Sequence, residues 1–157
     1  MQNRSRACNG KPRTRIAAIA TLATPLLVSN SPAGVDVTIV VSNIRSTDGK
    51  VLACMTAKPE NFPDCDDDPA AHSAEIPASE SGALRFRDVR PGTYAIALLH
   101  DENANGKGDR ALALIPREGF GFSRDARLRM GPPAFEDAAF EVGTRPVEQT
   151  IRMRYLF

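Results

Sequence analysis

The chain has 157 residues, a length that suits one domain. Its formal net charge is +1, yet Arg4, Arg6, Lys11, Arg13 and Arg15 all precede residue 34 and no acidic residue does. The remainder sets fifteen basic residues against nineteen acidic ones, a net charge near −4. That balance excludes the basic footprint of a nucleic-acid binder or an anionic-lipid binder.

Met1 to Arg15 is basic, Ile16 to Val28 is uncharged and largely apolar, and Ser31-Pro32-Ala33 places small residues before a cut ahead of Gly34. This order predicts a cleavable secretory signal over residues 1–33 and a mature domain over 34–157. The apolar run holds 13 residues and Pro25, short of the roughly 20 a membrane span needs. The mature chain is therefore expected to be periplasmic or secreted, without a membrane span. Cys8 leaves with the signal. Cys54 and Cys65 remain as an even pair, expected to form a disulfide in an oxidising compartment. A zinc site lacks ligands, since only His72 and His100 accompany them.

Val35, Val37, Ile39 and Val41 alternate with Asp36, Thr38 and Ser42, which predicts a half-buried strand. Thr47 to Lys50 supplies a turn in which Gly49 takes the positive φ that hairpin turns demand. Val51 to Ala57 reads as a second strand, apolar on both faces. Lys58 to Ala74, with three prolines and the run Asp64 to Asp68, reads as an exposed loop pinned by Cys65. Leu84 and Phe86 alternate with Arg85 and Arg87 in a third strand. Pro91-Gly92 marks a turn, and Thr93 to His100 a central strand. Leu112 to Ile115 reads as a short strand before Pro116. Ala138, Phe140 and Val142 fit another short strand, or Glu136 to Glu141 one helical turn. Val147, Ile151, Met153, Tyr155 and Phe157 share one face of a last strand. About seven short strands without a useful amphipathic helix predict an all-β fold, a single antiparallel β-sandwich with long loops.

The segment from Asp101 to Asp109 carries the sharpest chemistry. Oxygen-bearing side chains fall at loop positions 1, 3, 5 and 9 (Asp101, Asn103, Asn105, Asp109), with Gly106 at the sharp turn and Lys107 offering its carbonyl. A hard cation such as Ca²⁺ takes six to eight oxygens in such a loop. Position 12 is Leu112, so the bidentate glutamate is missing, and Glu118 is the candidate to replace it. The competing reading is a polar loop whose Asp and Asn side chains bond their own backbone. Phe120 and Phe122 lie in a Gly-rich segment with Arg117 and Glu118. They read either as a recognition loop or as core residues plugging one end of the sandwich. Ser123 sits in no nucleophile elbow, and His100 reads as a core-edge histidine bonding the Asp101 loop. The leading functional reading is a binding or structural module for an unidentified ligand or envelope protein. The alternative is an extracytoplasmic enzyme using Glu118, His100 or Asp109.

The segment Phe86-Arg87-Asp88-Val89-Arg90-Pro91-Gly92-Thr93-Tyr94 resembles one found in transthyretin-like and carboxypeptidase-regulatory-like sandwiches. His100 to Asp109, Ile115 to Ser123 and Pro133 to Phe140 add further motifs, and together they resemble the bacterial domain-of-unknown-function family 2141. Leu114 stands where that family usually has glycine, and Arg124 where it usually has asparagine. The resemblance implies an exported β-sandwich of uncharacterised role and supplies no catalytic residue.

Overall fold

The computed structural model describes residues 33–80, 82–106, 110–111, 115–116, 118–128 and 131–156. Residues 1–32, where the sequence predicts a signal, and Lys107, Asp109, Leu112, Leu114, Arg117 and Phe157 lie outside the described residues.

The alternation that starts the domain becomes β1 (Val35–Ser42), with Val37 and Ile39 fully buried. Next come β2 (Lys50–Thr56), β3 (His72–Pro77), β4 (Ala83–Val89) and β5 (Gly92–Asp101). Short pieces follow: β6 (Arg110–Ala111), β7 (Ile115–Pro116) and β8 (Gly119–Phe122). One helical turn, α1 (Phe135–Ala138), leads into β9 (Phe140–Val142) and then β10 (Val147–Arg152). Two sheets face each other across the main core. The first has the order β10-β1-β4; the second runs β3-β2-β5-β8, with β9 also beside β5, while β6 and β7 pair only with each other. Val37, Ile39, Leu84 and Ile151 from one sheet meet Val51, Met55, Ile96 and Leu98 from the other. Each such side chain contributes about 1.5–3 kcal/mol by leaving water. The expected all-β sandwich is therefore present.

Four details depart from the sequence expectation. First, β10 runs parallel to β1, from Val37↔Val147 to Ser42↔Arg152, amid otherwise antiparallel pairs. Second, the Thr47–Lys50 turn joins strands of different sheets. Gly49 does take a positive φ of 68°, and a side chain there would strike the Asp101 carbonyl. Third, part of the supposed loop is β3, whose inward residues His72, Ala74 and Ile76 are half-buried. Fourth, Phe120 and Phe122 are core residues, as one reading expected, but they pack in a second cluster and not inside the sandwich.

The repeat Gly119-Phe120-Gly121-Phe122 explains that last point. Side chains alternate across a strand, so the glycines face inward and the phenylalanines outward. A Cβ at Gly121 would come within 2.8 Å of Ile151 Cγ2, and one at Gly119 would strike the Tyr155 ring. Glycine here lets the last segment lie close against β8. Phe120 N–H and Arg154 N–H each donate to the other's carbonyl, at 3.0 and 2.8 Å, while Met153 N–H donates to Ser42 O at 2.8 Å. The segment after β10 thus ties the first sheet to the second. Outside the sandwich, Phe120 and Phe122 join Ala95, Ala126 and Ala138 in a second small core, roofed by Phe62, Leu128 and Phe135. Phe62 packs edge-on to Phe122 with centroids 5.8 Å apart.

Candidate functional site

Asp101 ends β5 and is 1 % exposed. Its Oδ1 accepts from Asn105 N–H (3.1 Å) and its Oδ2 from Gly106 N–H (2.7 Å), while Asn103 Oδ1 also accepts from Asn105 N–H at 3.0 Å. Gly106 takes φ 74° at the bend. The carboxylate therefore shapes the loop from its base, and each oxygen keeps a second lone pair. The ladder between β5 and β8 ends at His100↔Gly119. Asp101 follows that last pair on β5, and Glu118 directly precedes β8. Glu118 is 4 % exposed. Both carboxylates are thus buried beside the end of the β5–β8 ladder, although 17 positions separate them in the chain. Lys107 and Asp109, the other expected ligands, lie outside the described residues. Among the described residues no group of three His, Cys, Asp or Glu side chains could hold a metal ion.

His100 is fully buried on the core side of β5. Its Nε2 lies 3.0 Å from the Asp48 carbonyl and its Nδ1 2.8 Å from the Tyr155 hydroxyl. A carbonyl only accepts, so Nε2 carries the proton and Nδ1 accepts from Tyr155. The Tyr155 oxygen in turn accepts from Arg45 N–H at 3.1 Å. Both ring nitrogens are engaged in tying the Asp48 turn and the last segment to β5. The bonding partner is thus the Asp48 turn, where the sequence suggested the Asp101 loop.

Sequence reasoning missed the outer brace of the loop. Arg45 grips Glu102 through two nitrogens and stacks 4.4 Å above the Tyr155 ring, and Ser46 Oγ donates to Glu102 Oε1 at 3.0 Å. The Arg45 guanidinium holds the Glu102 carboxyl below its ordinary range, and burial pushes the Tyr155 hydroxyl up. Isolated Arg and Glu residues 57 positions apart carry no sequence signal that they will pair.

Ser123 is fully buried. On that edge of β5, β9 pairs with residues 92–94 and β8 with residues 97–100. Ser123 Oγ fills the gap: it accepts from Ile96 N–H (2.9 Å) and donates to the Ala138 carbonyl (2.6 Å). The hydroxyl completes a sheet edge. Next to it, Arg124 holds φ 56°, a left-handed conformation that asparagine tolerates better than most residues.

Cys54 and Cys65 form the expected disulfide, with Cα atoms 6.3 Å apart. It holds the loop after β2 against the outer face of the second sheet. Asp68 in that loop accepts from Thr56 Oγ1 at 2.6 Å and pairs with Lys58 Nζ at 2.8 Å.

These features define a small disulfide-linked β-sandwich with two buried carboxylates, Asp101 at the end of β5 and Glu118 just before β8. The chain belongs to the family described as an uncharacterized protein conserved in bacteria (DUF2141), which it matches over residues 39–150. That span holds the disulfide-bonded Cys54 and Cys65, Ser123 and the Asp101 loop, and stops short of Tyr155. No curated protein and no solved structure matches the chain. Among the described residues no helix is long and apolar enough to cross a membrane.

Proposed function

We propose that the protein is an exported binding module of the bacterial envelope, transthyretin-like in its sandwich, whose loop after β5 is ordered by a calcium ion. The observation that supports the calcium reading is the burial of Asp101 and Glu118 beside the end of the β5–β8 ladder, with Asn103 and Asn105 in the loop that Asp101 shapes. Buried carboxylates brought close repel each other, and a divalent cation between them reverses that sign. Export is supported by the basic, apolar, small-residue order of the first 33 residues and by a disulfide suited to an oxidising compartment.

With two Asp and two Asn in the loop, affinity belongs at the weak end, about 10⁻⁴ to 10⁻³ M. At about ten times the dissociation constant, calcium stabilises the fold by about 1.4 kcal/mol, or about 5 °C in melting temperature. Magnesium gives less, because it demands tight octahedral geometry. Asp109→Asn abolishes the response while leaving the Asp101 bonds to the loop backbone intact. Calorimetry with no heat and no melting shift at millimolar calcium would sink the calcium reading. An intact Met1 terminus in protein taken from the native envelope would sink export.

A further inference from the structure

Strands β2 and β5 are apolar on both faces. One set of side chains fills the sandwich. Leu52 on β2 and Ala97 and Leu99 on β5 belong to the other set, which faces away from the first sheet. They floor a groove of about 900 Å³, which the nearly buried Phe120 and Phe122 of β8 also line. The disulfide fixes one wall, bringing Asp64 and Asp66 over the floor; Leu128 and Pro132 line the groove too, and so does Gly106 from the Asp101 loop.

Among the described residues the charges lining this groove have one sign. Its charged lining residues, among those described, are Asp64, Asp66, Asp68 and Glu75. Lys58 pairs with Asp68 and Lys50 with Glu75, whereas Asp64 and Asp66 stand exposed on the wall. An apolar floor recognises an apolar body, and an acidic wall attracts a positive head and repels a negative one. The volume lies toward the upper end for small-molecule sites.

We propose that this groove binds a small amphiphilic cation, an apolar body carrying a protonated amine. The proposal goes beyond calcium binding and does not depend on it, since the floor and the disulfide-held wall involve no calcium ligand.

The test uses the oxidised protein in EDTA and three probes sharing one alkyl chain: octylammonium, octanol and octanoate. Calorimetry is expected to show saturable octylammonium binding, about fivefold tighter than octanol, the worth of a partly screened ion pair, with octanoate weakest. Raising the salt concentration is expected to erase the preference for the amine. The double variant Asp64→Asn, Asp66→Asn is expected to lose the same preference and keep octanol binding. Leu99→Gln, checked for an intact melting transition, is expected to weaken all three probes. Octanoate binding as tightly as octylammonium, no saturable amine binding, or an amine preference that survives the double variant would overturn the proposal. Amine binding without a calcium response would sink the calcium reading alone, and a calcium response without amine binding would sink the groove alone.

Discussion

Replacing Ser123 with alanine tests whether a side chain supplies part of the second sheet. The hydroxyl is the acceptor for Ile96 N–H and the donor to the Ala138 carbonyl, and Ser123, Ile96 and Ala138 are all fully buried. The methyl group of Ser123→Ala can do neither. An orphaned buried polar group costs about 1–3 kcal/mol, and a carbonyl with two lone pairs tolerates the loss better than an N–H. The expected loss is therefore about 2–4 kcal/mol, or about 8–16 °C in melting temperature at about 4 °C per kcal/mol. Urea titration should show a lower midpoint with an unchanged slope, the mark of lost stability without altered compactness. The exposed Ser73→Ala should stay within about 0.5 kcal/mol of the parent. A Ser123→Ala loss below about 0.5 kcal/mol would refute the idea that this hydroxyl closes the gap between β9 and β8.

Reduction of the Cys54–Cys65 bond, which closes a sequence separation of 11, should cost about 3 kcal/mol in the chain-entropy picture. Unchanged melting in reductant, or thiols reactive in the oxidised protein, would contradict it. The Lys58 ammonium, with help from the Thr56 hydroxyl, holds the Asp68 carboxyl down from 3.8 to about 2. A carboxyl depressed by folding gives its full stabilisation above the unfolded value and loses it as pH falls through the folded one. Acid denaturation should therefore steepen between about pH 4 and pH 2. Asp68→Asn should flatten that limb, and an unchanged limb would remove Asp68 from the acid response.

Elements built from local alternation were legible: β1, β2, β4, β5 and β10 fall where periodicity and turn residues put them. What failed was partnership. Nothing local marks β10 as the parallel neighbour of β1, because that pairing joins residues at opposite ends of the domain. β3 escaped because His72, Ala74 and Ile76 make a weak apolar stripe beside a proline-rich loop. In Gly119 to Phe122 the alternation was visible, but its direction was not. Which side the phenylalanines take depends on Tyr155 and Ile151 crowding the glycines. The loop was half legible: its spacing pointed to Asp101, which accepts from the loop backbone, and Glu118 stood out only as a carboxylate near a missing ligand. Its burial just before β8 shows only in the fold. The apolarity of β2 on both faces was the one available sign that the outer face of the second sheet is not simply solvent-facing.

The parallel pairing of β1 with β10 governs the order in which this domain can be completed. Val37 and Val147, 110 positions apart, are register partners, so the ladder closes over nearly the whole domain. Contacts of such long range slow folding, because loop-closure entropy must be spent before they return anything. The pairs β2–β3 and β2–β5 need no residue beyond Asp101. The first strand, by contrast, waits for the last. A chain emerging from its amino-terminal end, whether from a ribosome or through a membrane pore, holds β1 with one open edge until β10 arrives. During that interval its exposed ladder is a template for other chains, so dilution or a holding chaperone should raise the yield of refolding more than added stability would.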